Sequence, residues 1–117
     1  MDKYCVNKEY TIKETIDKID ATHDRAALVV NNDNKVIGIV SQGDIIRALS
    51  AGKSLYARID SIIQNSFLYL SRRDMKKACD IFKKKKITLL PIIDNEYNLV
   101  DVVTLEDIYN YYEEGNH

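Results

Sequence analysis

The sequence predicts an α+β fold made of two β-α-β-β-α units packed with pseudo-twofold symmetry through their sheets. Three observations lead there. First, the chain of 117 residues aligns with itself without a gap after a shift of 63, residues 9–49 lying on 72–112. Identities at Lys13/Lys76, Asp17/Asp80, Asn32/Asn95, Val40/Val103, Asp44/Asp107 and Ile45/Ile108 anchor the register, and the apolar positions coincide around them. Second, each copy carries a helix-period apolar pattern followed by two strand-length apolar runs and a second helix pattern. Third, a unit of about 50 residues is close to the lower limit for burying its own core, so two copies that share an interface form one domain more readily than two separate beads.

Each element follows from its local pattern. Residues 3–6 are short and apolar enough for an extended stretch. Ile12, Ile16 and Ile19 fall on one face of a helix over 11–20, with Thr11 as cap and Glu14 at capping-box spacing. Ala26–Val30 is a continuous apolar run of strand length, 31–34 is an Asn/Asp turn cluster, and 35–41 completes a β-hairpin. A helix follows over 43–50, with Gly52 beyond its end as a stop signal. The first unit therefore spans 1–54. Residues 55–65 form a connector, too apolar to be a flexible linker. The second unit, 66–117, repeats the order: an extended stretch at 66–70, a helix over 73–85, strands at 88–93 and 99–103 around a turn at 94–98, and a helix over 105–112. Pro91 would place its strand at a sheet edge, because proline cannot donate to a ladder.

Composition excludes several functions. Seventeen basic against 18 acidic side chains give a formal net charge of −1, which disfavours bulk attraction to nucleic acid or anionic lipid. No apolar run is long enough to span a bilayer and the N-terminus lacks the apolar core of a signal peptide, so the expected location is cytoplasmic. Cys5 and Cys79 lack the company of a metal site or nucleophile and read as ordinary reduced side chains. His23 and His117 are isolated, and neither catalytic nor metal-binding residues are identified. Eight basic residues between Arg72 and Lys86 read as a solvated helix face and end, where lysines complement the helix dipole. Tyr109 and Tyr112 share a face with Ile108 and are expected in the core or an interface.

One motif recurs in both units. At the end of each second strand a hydroxyl residue is followed three positions on by an aspartate: Ser41/Asp44 and Thr104/Asp107. This is a helix cap, and also a ligand arrangement. Amide groups at a helix start can hold phosphate, while the carboxylate can accept from two vicinal ribose hydroxyls.

The tandem repeat, the run 89–94 and the two hydroxyl-x-x-Asp turns resemble a pair of CBS domains, a Bateman module, over essentially the whole chain. Within that family the first copy is most similar to the CBS pairs associated with sugar-phosphate nucleotidyltransferases. The resemblance implies a non-catalytic regulatory module. It would bind an adenosyl or other nucleotide (AMP, ADP or ATP) in clefts between the repeats, control an attached or associated enzyme, and pair as a homodimer. It implies one cleft from Thr104 and Asp107 with Thr11, Arg25 and Ala26, and another from Ser41 and Asp44 with Thr88 and Leu89. Arg47, one turn after Asp44, can reach a phosphate; the matching residue is Asn110. Asp101 stands where the first copy has Gly38 and would crowd or repel a ligand. The Ser41/Asp44 cleft is therefore the expected nucleotide site. The alternative is a structural dimerisation scaffold with empty clefts.

Overall fold

A computed structural model describes residues 2–64 and 66–116, so Met1, Asn65 and His117 lie outside the described residues. The first repeat contains β1 (Cys5–Asn7), α1 (Ile12–Thr22), β2 (Ala26–Val30), β3 (Val36–Ser41) and α2 (Gln42–Ser50). The second contains α3 (Met75–Lys84), β4 (Leu89–Ile93), β5 (Leu99–Thr104) and α4 (Leu105–Glu113). β2, β3 and α2 map onto β4, β5 and α4 at a shift of 63 with identical lengths. Even the irregularities repeat. The hairpin register slips between Val29 and Val30 and again between Ile92 and Ile93, and the left-handed turn residues are Asn34 and Tyr97.

Strand alternation divides the core into layers. Ala27, Val29, Val40 and Ile45 pack with Ile12 and Ile19 of α1, while Leu90, Ile92, Val103 and Ile108 pack with Ala78 and Cys79 of α3. The intervening residues face the other repeat: Ala26 and Leu28 meet Leu89 and Val102, and Val30 and Val36 meet Ile93. β2 and β4 are thus buried on both faces at every position, which explains their unbroken apolar runs. The pseudo-axis passes close to Lys35 and Asn98, residues 63 apart that form an antiparallel bridge, with Lys35 Nζ donating to Asn98 Oδ1 at 2.8 Å.

The sequence reading needs correction at three places. Asp2–Tyr4 form a 3₁₀ turn, and the first strand is Cys5–Asn7, because parallel pairing of Val6 with Val29 sets its limits. The stretch 66–70 contributes only a bridge from Leu70 to Ile92, so the second sheet has two strands. α3 begins two residues later than the apolar pattern suggested, because Asp74 caps it by accepting from the Lys77 amide. Of the core or interface expected for Tyr109 and Tyr112, their exposures of 60% and 44% leave the interface, while Tyr111 packs on the core. Pro91 sits in β4 with its carbonyl accepting from Leu70 N–H, on the side away from β5. The N–H it lacks is therefore missing from that outer edge and not from the hairpin.

The connector is a strap over the first repeat. Leu55 and Ala57 carbonyls accept from the Lys13 and Ile12 amides, two of the donors that every helix start leaves unsatisfied. Ile59 is fully buried among α1 and the strands, and Ile63 packs over Gly38, where an added Cβ would meet its Cδ1 at 3.1 Å.

Candidate functional site

The two hydroxyl-x-x-Asp turns have nearly the same local geometry. Ser41 N–H donates to Asp44 Oδ2 at 2.9 Å, and Asp44 N–H donates to Ser41 Oγ at 3.2 Å. Thr104 and Asp107 form the same reciprocal box at 2.9 and 3.2 Å. Each box fixes its carboxylate at a helix start, where the helix dipole favours negative charge. What surrounds the two boxes differs.

Around Ser41 and Asp44 lies a cavity of about 720 Å³, within the size range of small-molecule sites. The first repeat contributes Ile39, the start of α2 through Gln42 and Gly43, and Arg47. The second contributes Ile87, Thr88 and Leu89, and Phe67 and Leu68 enter from the segment ahead of α3. Three cations, Arg25, Arg47 and Lys86, line the cavity with the single carboxylate of Asp44. Arg47 Nη2 donates to Asp44 Oδ1 at 2.6 Å. Burial acts to raise the Asp44 pKa, but the Ser41 amide and hydroxyl together with Arg47 outweigh it and hold the carboxyl below its ordinary value. The site thus pairs an apolar wall with a cationic rim and a capped helix start, features that suit a flat base joined to an anionic group.

Around Thr104 and Asp107 the charge is reversed. Arg73 Nη1 binds Asp101 Oδ2 at 2.9 Å, and its Nη2 lies 4.0 Å from Asp107 Oδ2. Asp24 approaches from the first repeat. Its pKa is raised by burial first, with Glu106 and Asp107 adding to the effect and Lys3 opposing it. Arg73 therefore sits between the two carboxylates of Asp101 and Asp107.

The structure brings together Ser41, Asp44, Arg47, Thr88 and Leu89 as the sequence reading grouped them. Arg25 and Ala26, expected opposite Thr104 and Asp107, also line the Ser41/Asp44 cavity. The left-handed residues His23 and Arg25 bracket Asp24, and it is Asp24 whose carboxyl feels Asp107. Thr11, expected with Thr104 and Asp107, stands at the start of α1. Its hydroxyl accepts from the Glu14 amide to cap α1, and its backbone bridges to Arg58 of the strap. Thr88 Oγ1 donates to the Asp24 carbonyl, tying the repeats together beside the cavity. Phe67, Leu68, Lys86 and Arg73 were missed. Lys86 was hidden in a run of four lysines, and Arg73 shows its role only through contacts across 28 residues to Asp101 and 34 to Asp107. Among the described residues no cluster of three or more His, Cys, Asp or Glu side chains is placed to hold a metal ion.

Fold and site define a tandem-repeat module with a cavity lined by both of its halves. A family model for the CBS domain matches residues 1–51 and 71–114, so the chain belongs to the CBS-domain family and carries two such domains, regulatory rather than catalytic units. Inosine-5'-monophosphate dehydrogenase of Thermoplasma acidophilum is 30% identical over 107 residues, covering 92% of this chain and 21% of that protein. Homoserine O-acetyltransferase of Methanosarcina acetivorans is 28% identical over 106 residues, covering 90% of this chain and 19% of the enzyme. The chain thus spans about a fifth of these relatives' lengths, and they are not nucleotidyltransferases. A CBS domain protein of Pyrobaculum aerophilum, solved in complex with AMP, superposes with a TM-score of 0.75 at 18% identity, covering 94% of this chain and 90% of that one. No described helix is long and apolar enough to cross a membrane.

Proposed function

We propose that the chain is a nucleotide-responsive regulatory module whose ligand, an adenine nucleotide such as AMP, binds in the Ser41/Asp44 cleft. The supporting observation is the cleft's composition: an apolar wall from both repeats for the base, Asp44 for the ribose hydroxyls, and Arg25, Arg47 and Lys86 for phosphate. AMP in the P. aerophilum neighbour of the same fold fits this reading. The mechanism is linkage. A ligand that touches Asp44 on one repeat and Thr88 on the other favours one relative orientation of the repeats, and an attached or associated enzyme responds to that orientation. The relatives make a dehydrogenase of the inosine-monophosphate type a better-supported companion than a sugar-phosphate nucleotidyltransferase. Self-association through Ile46, Tyr109 and Tyr112, exposed on α2 and α4, is part of the proposal and would carry the response between copies.

The test is calorimetry and thermal shift with AMP, ADP, ATP and GTP. A ligand at a hundredfold excess over its Kd stabilises the fold by about 2.7 kcal/mol, a rise of several degrees in Tm. No shift with any nucleotide at millimolar levels, alongside a ligand-independent dimer by light scattering, would favour the scaffold reading instead.

A further inference from the structure

The cleft already contains an occupant for its ribose carboxylate. Arg47 Nη2 lies 2.6 Å from Asp44 Oδ1, while the other oxygen, Oδ2, is taken by the Ser41 amide. The guanidinium also lies across the first turn of α2: a Cβ placed on Gly43 would come within 3.3 Å of Arg47 Nη1 and 3.6 Å of Nη2. A side chain in this pose covers the helix start and engages the oxygen that a ribose hydroxyl needs. Its side chain is 72% exposed, so it is free to swing without disturbing the core.

We propose that Arg47 is a phosphate-dependent gate on Asp44, which makes the cleft selective for phosphorylated nucleotides over the bare nucleoside. This rests on the nucleotide reading above and adds to it. A nucleoside must compete with the Arg47–Asp44 ion pair for the carboxylate and brings nothing to draw the guanidinium away. A 5'-phosphate offers the guanidinium a bidentate anionic partner beside the α2 start, releasing Asp44 for the ribose. Arg47 thus lowers affinity for one ligand and raises it for the other, whereas a cation that only supplied positive potential would not lower nucleoside affinity. Arg25 and Lys86 line the same cavity and supply the potential that remains when Arg47 moves.

The test is calorimetric titration of the wild type, Arg47→Ala, Arg47→Gln and Arg25→Ala with AMP and with adenosine, folding being checked by circular dichroism. Both Arg47 variants are expected to bind adenosine about two- to fivefold more tightly, the range of an exposed ion pair. They should bind AMP about tenfold more weakly, as for loss of a charge-assisted hydrogen bond. Arg25→Ala should weaken AMP binding without tightening adenosine binding. Wild type binding AMP, with the Arg47 variants losing AMP affinity but gaining none for adenosine, would overturn the gate and leave the nucleotide reading standing. Wild type binding neither ligand would overturn both.

Discussion

The two repeats share a backbone and differ in what surrounds it. The bounds of β3 and β5 coincide at a shift of 63, as do those of α2 and α4 and the capping boxes at their starts. Yet the Ser41/Asp44 cleft is rimmed by Arg25, Arg47 and Lys86, whereas Asp107 has Asp101, Glu106 and Asp24 near it with Arg73 in between. The first repeat is also closed by a strap whose Ile59 reaches its core, and its Gly38 is covered by Ile63. In the second repeat Val100, the counterpart of Ile37, is 52% exposed, and Asp101 replaces Gly38. A duplicated scaffold thus fixes where a ligand can sit, while a few side chains outside the scaffold decide whether an anion is welcome there.

Stability should break the comparison most sharply. Ile59→Ala removes a fully buried side chain from the first repeat and is expected to destabilise by about 2–5 kcal/mol in denaturant unfolding. Val100→Ala, at an exposed site of the second, should change stability by less than about 0.5 kcal/mol. Similar losses for the two would mean that the strap does not set the repeats apart.

The clefts come next. Asp44→Ala should weaken AMP binding about ten- to a hundredfold, the range for a hydrogen bond to a charged group. Asp107→Ala should leave the affinity within about twofold, since AMP phosphate is repelled by the acids around it. Equal losses in calorimetry would end the case for unequal clefts.

The smallest effect is a pH dependence with a definite sign. The Asp24 pKa is raised in the fold from the model-compound value of 3.8, by burial first and then by Glu106 and Asp107. Its charged form is therefore disfavoured in the folded state, a penalty absent well below 3.8 and fully present above the raised value. Asp24→Asn should accordingly raise Tm at neutral pH, and the gain should fade as pH falls from the raised value through 3.8. Asp44 carries the opposite sign: its lowered pKa contributes stability at neutral pH that is lost as pH falls through its folded value. A constant Tm difference between wild type and Asp24→Asn from pH 3 to 7 would contradict the raised pKa of Asp24.

Local chemistry was legible in the residues themselves. Ala26–Val30 and Leu89–Ile93 announced two-sided burial through unbroken apolar runs, and Thr11/Glu14, Ser41/Asp44 and Thr104/Asp107 announced caps, because capping depends on residues three apart. The repeat alone places Asp44 and Asp107 in equivalent positions. Legibility failed where partners are distant in sequence. Nothing near Arg73 indicates Asp101, nothing in the lysine run singles out Lys86, and nothing at Phe67 points to Ser41.

The sequence by itself determined the repeat, the strands, the helices and the two capped turns, since hydrophobic period and capping act over a few residues and leave their record locally. Only the tertiary structure decided that Arg25, Arg47 and Lys86 line one cavity and that Arg73 reaches both Asp101 and Asp107. Electrostatic character at a cleft is a sum over side chains that folding gathers from both repeats, and such a sum has no local signature in the chain.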